Sequence, residues 1–332
     1  MYIGFTYDTR ETYGIAADDW RYADFSSNRE VADLHKALQR LGHEVELIGN
    51  HTALLAKLGS GQRFDLVFNM AEGLASRNRE GLVPAILEAC GIPYVGTDAY
   101  GLSLSLNKAH TKLLAAHRGI PTPAFVEITE LGMAEAALVQ LNFPVIVKPC
   151  CEGTSAGLSI AAHKGEAVRC VDRLLAAYGS PVLCEEYIGG RELAVPLLGS
   201  GPSSVVFGIV EYLTAHMEPL PLFTRDLKLH EGYTVTVPEL AGGLRETIED
   251  FALNIYRYVG ARDFGRADFR LSAAGVPYFL EINLLPSMEM GGAFSLCGQQ
   301  AGLEYHDIIA RIIQSALEDP VRSITPGRLG IC

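Results

Sequence analysis

Gly265-Arg266-Ala267-Asp268-Phe269-Arg270, followed by Phe279-Leu280-Glu281-Ile282-Asn283-Leu284-Leu285-Pro286, is the stretch on which the reading of this chain turns. Apolar and polar residues alternate through both segments, which predicts two β-strands. Side chains two apart on a strand share a face, so Glu281 and Asn283 point the same way, and Asp268 sits in the alternation of the first strand. Three hard oxygen ligands converging in this manner suit Mg2+, which takes carboxylate and carbonyl oxygens and keeps its other positions for waters and substrate phosphates. The alternative is a surface hairpin whose polar residues face water. Phe279, Leu280 and Ile282 argue for a buried strand instead, where an unpaired carboxylate is costly.

Composition narrows the setting. A chain of 332 residues exceeds one ordinary core and predicts two or three subdomains. Its apolar content is that of a globular protein, and no apolar run approaches the roughly 18 residues of a membrane span. The start, Met1-Tyr2-Ile3-Gly4-Phe5-Thr6-Tyr7-Asp8, reads as a strand entering an acidic loop, without the basic opening of a signal peptide. Seven cysteines lie in segments such as Leu87–Cys90 and Val182–Cys184, where they read as small buried hydrophobes, so a reducing cytoplasm is expected. Cys150-Cys151 stands apart beside a glycine-containing loop; it has either a redox or nucleophilic role or one of simple loop packing. The histidines are scattered singly, so no zinc site is expected. A formal charge of −12 argues against a nucleic-acid surface, which needs clustered Lys and Arg. Basic residues that matter must therefore act singly, at strand ends or helix starts.

Strand and helix alternate through the first part of the chain, from strand Tyr2–Thr6 and helix Arg29–Leu41 to helix Val83–Cys90 and strand Pro93–Val95, predicting an open parallel α/β unit. Leu106-Asn107-Lys108 opens a helix that ends at Gly119, and Pro121 and Pro123 forbid its continuation. A second unit runs from strand Phe125–Ile128 to strand Val182–Tyr187, with helices Met133–Leu141 and Gly165–Tyr178 between. A third begins near Arg191 with long strands Leu193–Leu198 and Ser204–Val210, an irregular stretch from His216 to Gly232, helix Leu244–Val259, the opening strand pair and helix Tyr305–Leu317.

Two further segments carry chemistry. Phe143-Pro144-Val145-Ile146-Val147-Lys148-Pro149 is a strand ending in a lysine, and Glu152-Gly153-Thr154-Ser155-Ala156-Gly157 follows at once. Small residues let backbone N–H groups approach a phosphate, hydroxyls donate to it, and an ammonium neutralises it; the alternative is an ordinary hairpin with a solvated lysine. Val182–Glu192 leaves one unit and enters another through Gly189-Gly190, and ligands favour such junctions. Its backbone can bind an adenine edge, and Glu192 is placed to accept from ribose hydroxyls; a solvated acidic strand end is the alternative.

Together these segments resemble the ATP-grasp superfamily and, within it, the D-alanine–D-alanine ligase family, over about Val45 to Ile312. The resemblance rests on Gly96-Thr97, Asn107-Lys108, Pro144–Gly157, Glu185–Glu192 and Gly265–Pro286. It implies an α/β (α+β) chain with an ATP-grasp fold behind an N-terminal open parallel α/β domain: 1–105, a central ATP-grasp subdomain 106–190, and a C-terminal subdomain 191–332. It also implies that Lys108 and Lys148 bind ATP phosphates, that Thr154 and Ser155 lie on the closing phosphate loop, that Glu185, Tyr187 and Ile188 hold adenine and that Glu192 binds ribose. Asp268, Glu281 and Asn283 would hold two Mg2+ ions, with Mn2+ as the alternative metal. Lys228, in Arg225-Asp226-Leu227-Lys228, would cover the γ-phosphate, and Arg266 would meet the oxyanion; with Ser287 these are the candidate catalytic residues.

The chemistry so implied is attack of a substrate carboxylate on the γ-phosphoryl group of ATP, giving an acylphosphate, and attack of an amine on the acyl carbon. The partners are then a small carboxylic acid and an amino acid or other amine, and the resemblance suggests a homodimer through the first unit. Departures from the family pattern fall at the substrate end. Asn69-Met70-Ala71-Glu72-Gly73, with Arg77, Arg79 and Glu80 behind it, replaces the family's His-Gly turn. Ser287-Met288-Glu289 stands in its Gly-Met-Thr, and Gly292, or Ser295 further on, matches its substrate-binding Ser. The loop Tyr7–Tyr13 lacks the Gly-Gly-x-Ser-x-Glu form and runs into Asp18-Asp19-Trp20. Glu72, Arg79 and Ser287 are the candidate substrate contacts. The alternatives to D-Ala–D-Ala ligation are an amide ligase of secondary metabolism, a kinase that stops at phosphoryl transfer, and a nucleotide-binding protein without turnover.

Overall fold

The computed structural model describes residues 1–16, 22, 25–74, 76–179, 181–224, 227 and 232–319. Four strands form a first, all-parallel sheet, and parallel neighbours require crossovers, which helices supply. β1 (Tyr2–Tyr7) leads through α1 (Asn28–Arg40) to β2 (Glu44–Gly49), α2 (His51–Gly59) to β3 (Leu66–Met70), and α3 (Leu82–Cys90) to β4 (Tyr94–Val95), in the order β2-β1-β3-β4. Val31, Leu34 and Leu38 recur at helical spacing on α1 and are buried against this sheet's face. Cys90, expected to be buried, is exposed at the end of α3.

The helix expected from Leu106 is preceded by another. α4 (Ala99–Leu106) ends at Asn107, whose extended backbone breaks the run and whose side chain caps α5 (Lys108–His117) by accepting from His110 N at 3.0 Å. Leu102, Leu104 and Leu106 alternate in sequence as a strand would, yet the segment is helical and opens on an Asp98 cap that accepts from Gly101 N at 2.8 Å.

β5 (Phe125–Ile128), α6 (Leu131–Ala137), β6 (Val145–Pro149), β7 (Ser159–Ala161), α7 (Lys164–Tyr178) and β8 (Val182–Glu186) make a second, antiparallel sheet of order β5-β8-β6-β7 with its own core. The third sheet holds β9 (Arg191–Leu198), β10 (Val205–Val206), β11 (Val210–Thr214), β12 (Tyr233–Thr236), β13 (Phe264–Leu271) and β14 (Pro277–Asn283), in the order β12-β11-β9-β13-β14 with β10 on β9. The expected strand Ser204–Val210 is therefore two strands along one neighbour. They are interrupted at Gly208, where a Cβ would meet Cys297 Sγ at 2.5 Å. α8 (Leu244–Tyr258), α9 (Ala293–Gln300) and α10 (Tyr305–Glu318) cover this sheet.

The first and third sheets share one apolar core, in which Phe5 and Leu34 join Tyr256, Phe264 and Ile309. One buried carboxylate ties the layers together. Asp263, at φ 62°, accepts from Gly96 N at 2.7 Å, Ser200 Oγ at 3.1 Å and Ser315 Oγ at 2.9 Å. An Asp tolerates this left-handed conformation better than most residues. The chain passes from the second sheet to the third through Gly190, at φ 128°, where any side chain would strike the Leu271 carbonyl.

Candidate active site

A cavity of about 890 Å3 opens where the three sheets meet, and Lys108 at the start of α5, Lys148 near the end of β6 and the opening strand pair line it. β13 and β14 pair antiparallel, Asp268 opposite Glu281 and Arg266 opposite Asn283, with an irregularity just after Asp268. Arg266 and Asp268, two apart on one face, form a bidentate pair at 2.7 and 2.8 Å. Burial works against the guanidinium charge, but Asp268 outweighs it and raises the Arg266 pKa further. Asn283 Oδ1 accepts from Leu285 N at 2.9 Å, and Lys108 Nζ lies 3.3 Å from Glu281 Oε2. Two carboxylates and an amide oxygen on one wall are a donor set that fits Mg2+, a cation that needs few protein ligands when phosphate and water supply the rest. Among the described residues no cluster of three His, Cys, Asp or Glu side chains is placed for a metal.

Lys148, the last residue but one of β6, reaches Glu185 Oε1 of β8 at 2.6 Å, and Lys112 of α5 reaches Oε2 at 2.7 Å. All three are buried. Burial alone would raise the Glu185 carboxyl; the two ammoniums outweigh it and hold the carboxyl below its ordinary value. Burial pulls Lys112 down to about 8, opposed by Glu185. Glu185, expected as an adenine contact, is thus first the anion of a buried two-lysine cluster. Lys112 was not singled out in the sequence, although it stands one helical turn beyond Lys108 on α5.

Arg270 is a second residue that sequence reasoning missed, continuing the face of Arg266 and Asp268 along β13. It donates to Ile188 O at 3.0 Å, Glu192 Oε2 at 2.8 Å, Leu220 O at 3.0 Å and Pro221 O at 3.2 Å. One guanidinium thereby fixes both the chain crossing at Ile188 and the expected ribose carboxylate. Tyr187 OH donates to Pro221 O at 2.6 Å.

In the loop after β6, Thr154 and Ser155 take positive φ, and Ser155 Oγ donates to Phe223 O at 2.8 Å. Lys108 Nζ donates to Glu152 O at 2.6 Å, so this lysine touches both the loop and the Glu281 carboxylate. Lys228, with Arg225 and Asp226, lies outside the described residues, as do Asp18, Asp19 and Trp20.

The substrate-side candidates all line the same cavity. Arg79, buried, points toward the loop: it donates to Cys151 O at 3.0 Å and lies 3.8 Å from Glu152 Oε2. Glu72 sits in a turn held by Asp8, which accepts from Gly73 N at 2.6 Å and from Tyr13 OH at 2.7 Å. Ser287 Oγ donates to Glu30 Oε1 at 3.0 Å, and Met288 N donates to the same oxygen. Glu30 has the spacing of a capping box, Ser27-x-x-Glu30, and Ser27 does accept from Glu30 N at 3.0 Å. Its side chain nevertheless leaves the helix for the 287–288 turn, and Ser27 Oγ donates to Glu289 Oε1 at 2.7 Å. Burial raises the Glu30 pKa, against the donors from Met288 and Ser287. Gly292 caps α9 at the cavity wall, and Ser295 is buried in that helix.

Comparison with known proteins agrees with this architecture. Residues 114–314 match the family model described as the D-ala D-ala ligase C-terminus. An uncharacterized protein, y4sG, of Sinorhizobium fredii is 33% identical over 84% of this chain and 85% of its own length. A D-alanine–D-alanine ligase of Xanthomonas axonopodis pv. citri is 31% identical over 88% of this chain and 92% of its own. Among solved structures, the D-alanine–D-alanine ligase of Bacillus anthracis complexed with ATP superposes with a TM-score of 0.75 at 22% identity, covering 97% of this chain and 98% of that one. At that identity the likeness speaks for the fold alone.

Proposed function

The chain belongs to the D-alanine–D-alanine ligase family of ATP-dependent carboxylate–amine ligases, and from that premise we propose that it joins an amino-acid carboxylate to the amine of a second amino acid, D-alanine among the candidates, at the cavity described above. The observation that supports this most is the convergence of Lys108, Lys148, the Arg266–Asp268 pair and Glu281 on one cavity.

Lys108 and Lys148 would bind the ATP phosphates, with Thr154 and Ser155 on the loop above them; Glu185, Tyr187 and Ile188 would flank the adenine and Glu192 the ribose. Lys228 would cover the γ-phosphate. Asp268, Glu281 and Asn283 would hold Mg2+, which when bound neutralises phosphate charge during phosphoryl transfer. Arg266, oriented by Asp268, would stabilise the oxyanion when the amine attacks the acylphosphate. Glu30 would keep Ser287 and the Met288 N–H at the substrate end. The proposal includes a homodimer, a cytoplasmic setting and subdomain divisions near residues 105 and 190; no helix among the described residues is long and apolar enough to cross a membrane.

The test is phosphate release from ATP over a matrix of amino-acid pairs, with product masses. Release that needs both acid and amine, with a condensed product, is the expected result. A phosphorylated acid formed without amine incorporation would overturn it in favour of a kinase.

A further inference from the structure

Cys150-Cys151 has no part in the reaction above, yet it is built into the residues that would bind ATP. Cys150 Sγ donates to Asn107 Oδ1 at 3.1 Å, the side chain that caps α5. Lys108 N donates to Cys150 O at 3.1 Å, and Lys108 Nζ to Glu152 O. Arg79 donates to Cys151 O. The two thiols belong to consecutive residues; Cys150 is fully buried and Cys151 half-buried.

The adjoining Cys150 thiol, and after it the Lys108 and Arg79 charges, lower the Cys151 thiol pKa against burial and Glu152, while Cys151 and burial raise that of Cys150. The more acidic, less buried thiol thus has a second thiol on the next residue, the arrangement of an oxidisable pair.

We infer that Cys150 and Cys151 form a thiol-oxidation site at the root of the phosphate loop, where a hydroperoxide converts the pair to a disulfide and thereby displaces Lys108 and the loop from the geometry that takes ATP. The Cys151 thiolate attacks the peroxide oxygen, the O–O bond breaks, and an alcohol or water leaves with a solvent proton, giving a sulfenic acid. Cys150 sulfur then attacks Cys151 sulfur, the S–O bond breaks, and hydroxide departs as water with the Cys150 proton. Two electrons pass from the thiols to the peroxide. Closing so small a ring twists the peptide whose carbonyl accepts from Lys108 N, and it withdraws Cys150 Sγ from the α5 cap.

The inference rests on the ATP role proposed for Lys108. Its test uses the full chain with the exposed Cys90 changed to Ser, hydrogen peroxide as probe, calorimetric ATP affinity and mass mapping of the digest. Oxidation should link Cys150 to Cys151, weaken ATP on the order of tenfold, be reversed by dithiothreitol and be slowed by bound ATP; Cys151→Ser should keep its ATP affinity after peroxide. Absence of that link, or equal loss of affinity in Cys151→Ser, overturns the inference. If untreated protein fails to bind ATP, the functional reading fails instead, and the mapped link still decides whether the oxidation site exists.

Discussion

Glu30 accepts the Ser287 hydroxyl at 3.0 Å across 257 positions of sequence, from the first turn of α1 to the turn that follows β14. The substrate end of the cavity is thereby held by a carboxylate that belongs to neither of the ATP-side sheets.

Truncating that carboxylate should loosen the turn without touching the nucleotide side. Glu30→Ala is expected to lower kcat/KM for the amino-acid substrates by about 10²-fold, the scale of a slight misplacement, with KM for ATP near the wild-type value. Steady-state kinetics with each substrate varied in turn decide it.

Burial raises the Glu30 pKa above its ordinary 4.5, so the folded chain holds this proton more tightly than the unfolded one. The stability it contributes is complete below the ordinary value and is lost as pH rises through the folded pKa. Thermal unfolding of wild type and Glu30→Gln across that range should show the wild type losing ground to the variant as pH rises; parallel curves would contradict this.

Asp268→Asn and Glu281→Gln should each lower ligation on the order of 10²–10³-fold with unchanged far-ultraviolet circular dichroism. Asp268→Asn also weakens the charge that orients Arg266. Near-normal product formation by either variant would rule out the metal set.

Lys112→Met leaves Glu185 buried with Lys148 alone. Removing one partner of a buried pair costs about 3 kcal/mol, and denaturant unfolding should show it. Adding Glu185→Gln to Lys112→Met should cost less than the two single changes summed, since the residues share one charge balance.

Asp263→Ala removes the acceptor of Gly96 N–H and of two serine hydroxyls at the junction of the first and third sheets. The expected loss is about 2–4 kcal/mol, seen as a lower urea midpoint at constant m. Asp263→Asn, which tolerates the same left-handed backbone, should lose less.

Much of the fold is legible where local pattern and final environment agree. α1, α7 and α8 show their helical period, and β13 and β14 their alternation, because each buries one face. α4 was not legible, since its leucines alternate like a strand and the one helix signal near them is the Asp98 cap. The break at Gly208 depends on Cys297 of α9, far along the chain. The site divides the same way. Lys108, Lys148, Arg266, Asp268, Glu281 and Asn283 stand at ends or faces of periodic elements. Glu30, Lys112 and Arg270 acquire their partners only through folding, and nothing near them in sequence names those partners.

Phe279, two residues before Glu281, donates its N–H to Pro121 O at 2.7 Å and accepts from Thr122 Oγ1 at 2.8 Å and Lys112 Nζ at 3.4 Å. β14 is the outer strand of its sheet, so the segment after α5 lies along that rim and shields it from pairing with another chain. Pro121 and Thr122 must then travel with the metal-side strand. Any rocking of the β5–β8 sheet has to pivot on two short pieces of backbone, Pro123-Ala124 and Tyr187–Gly190, and Arg270 already grips the second at Ile188.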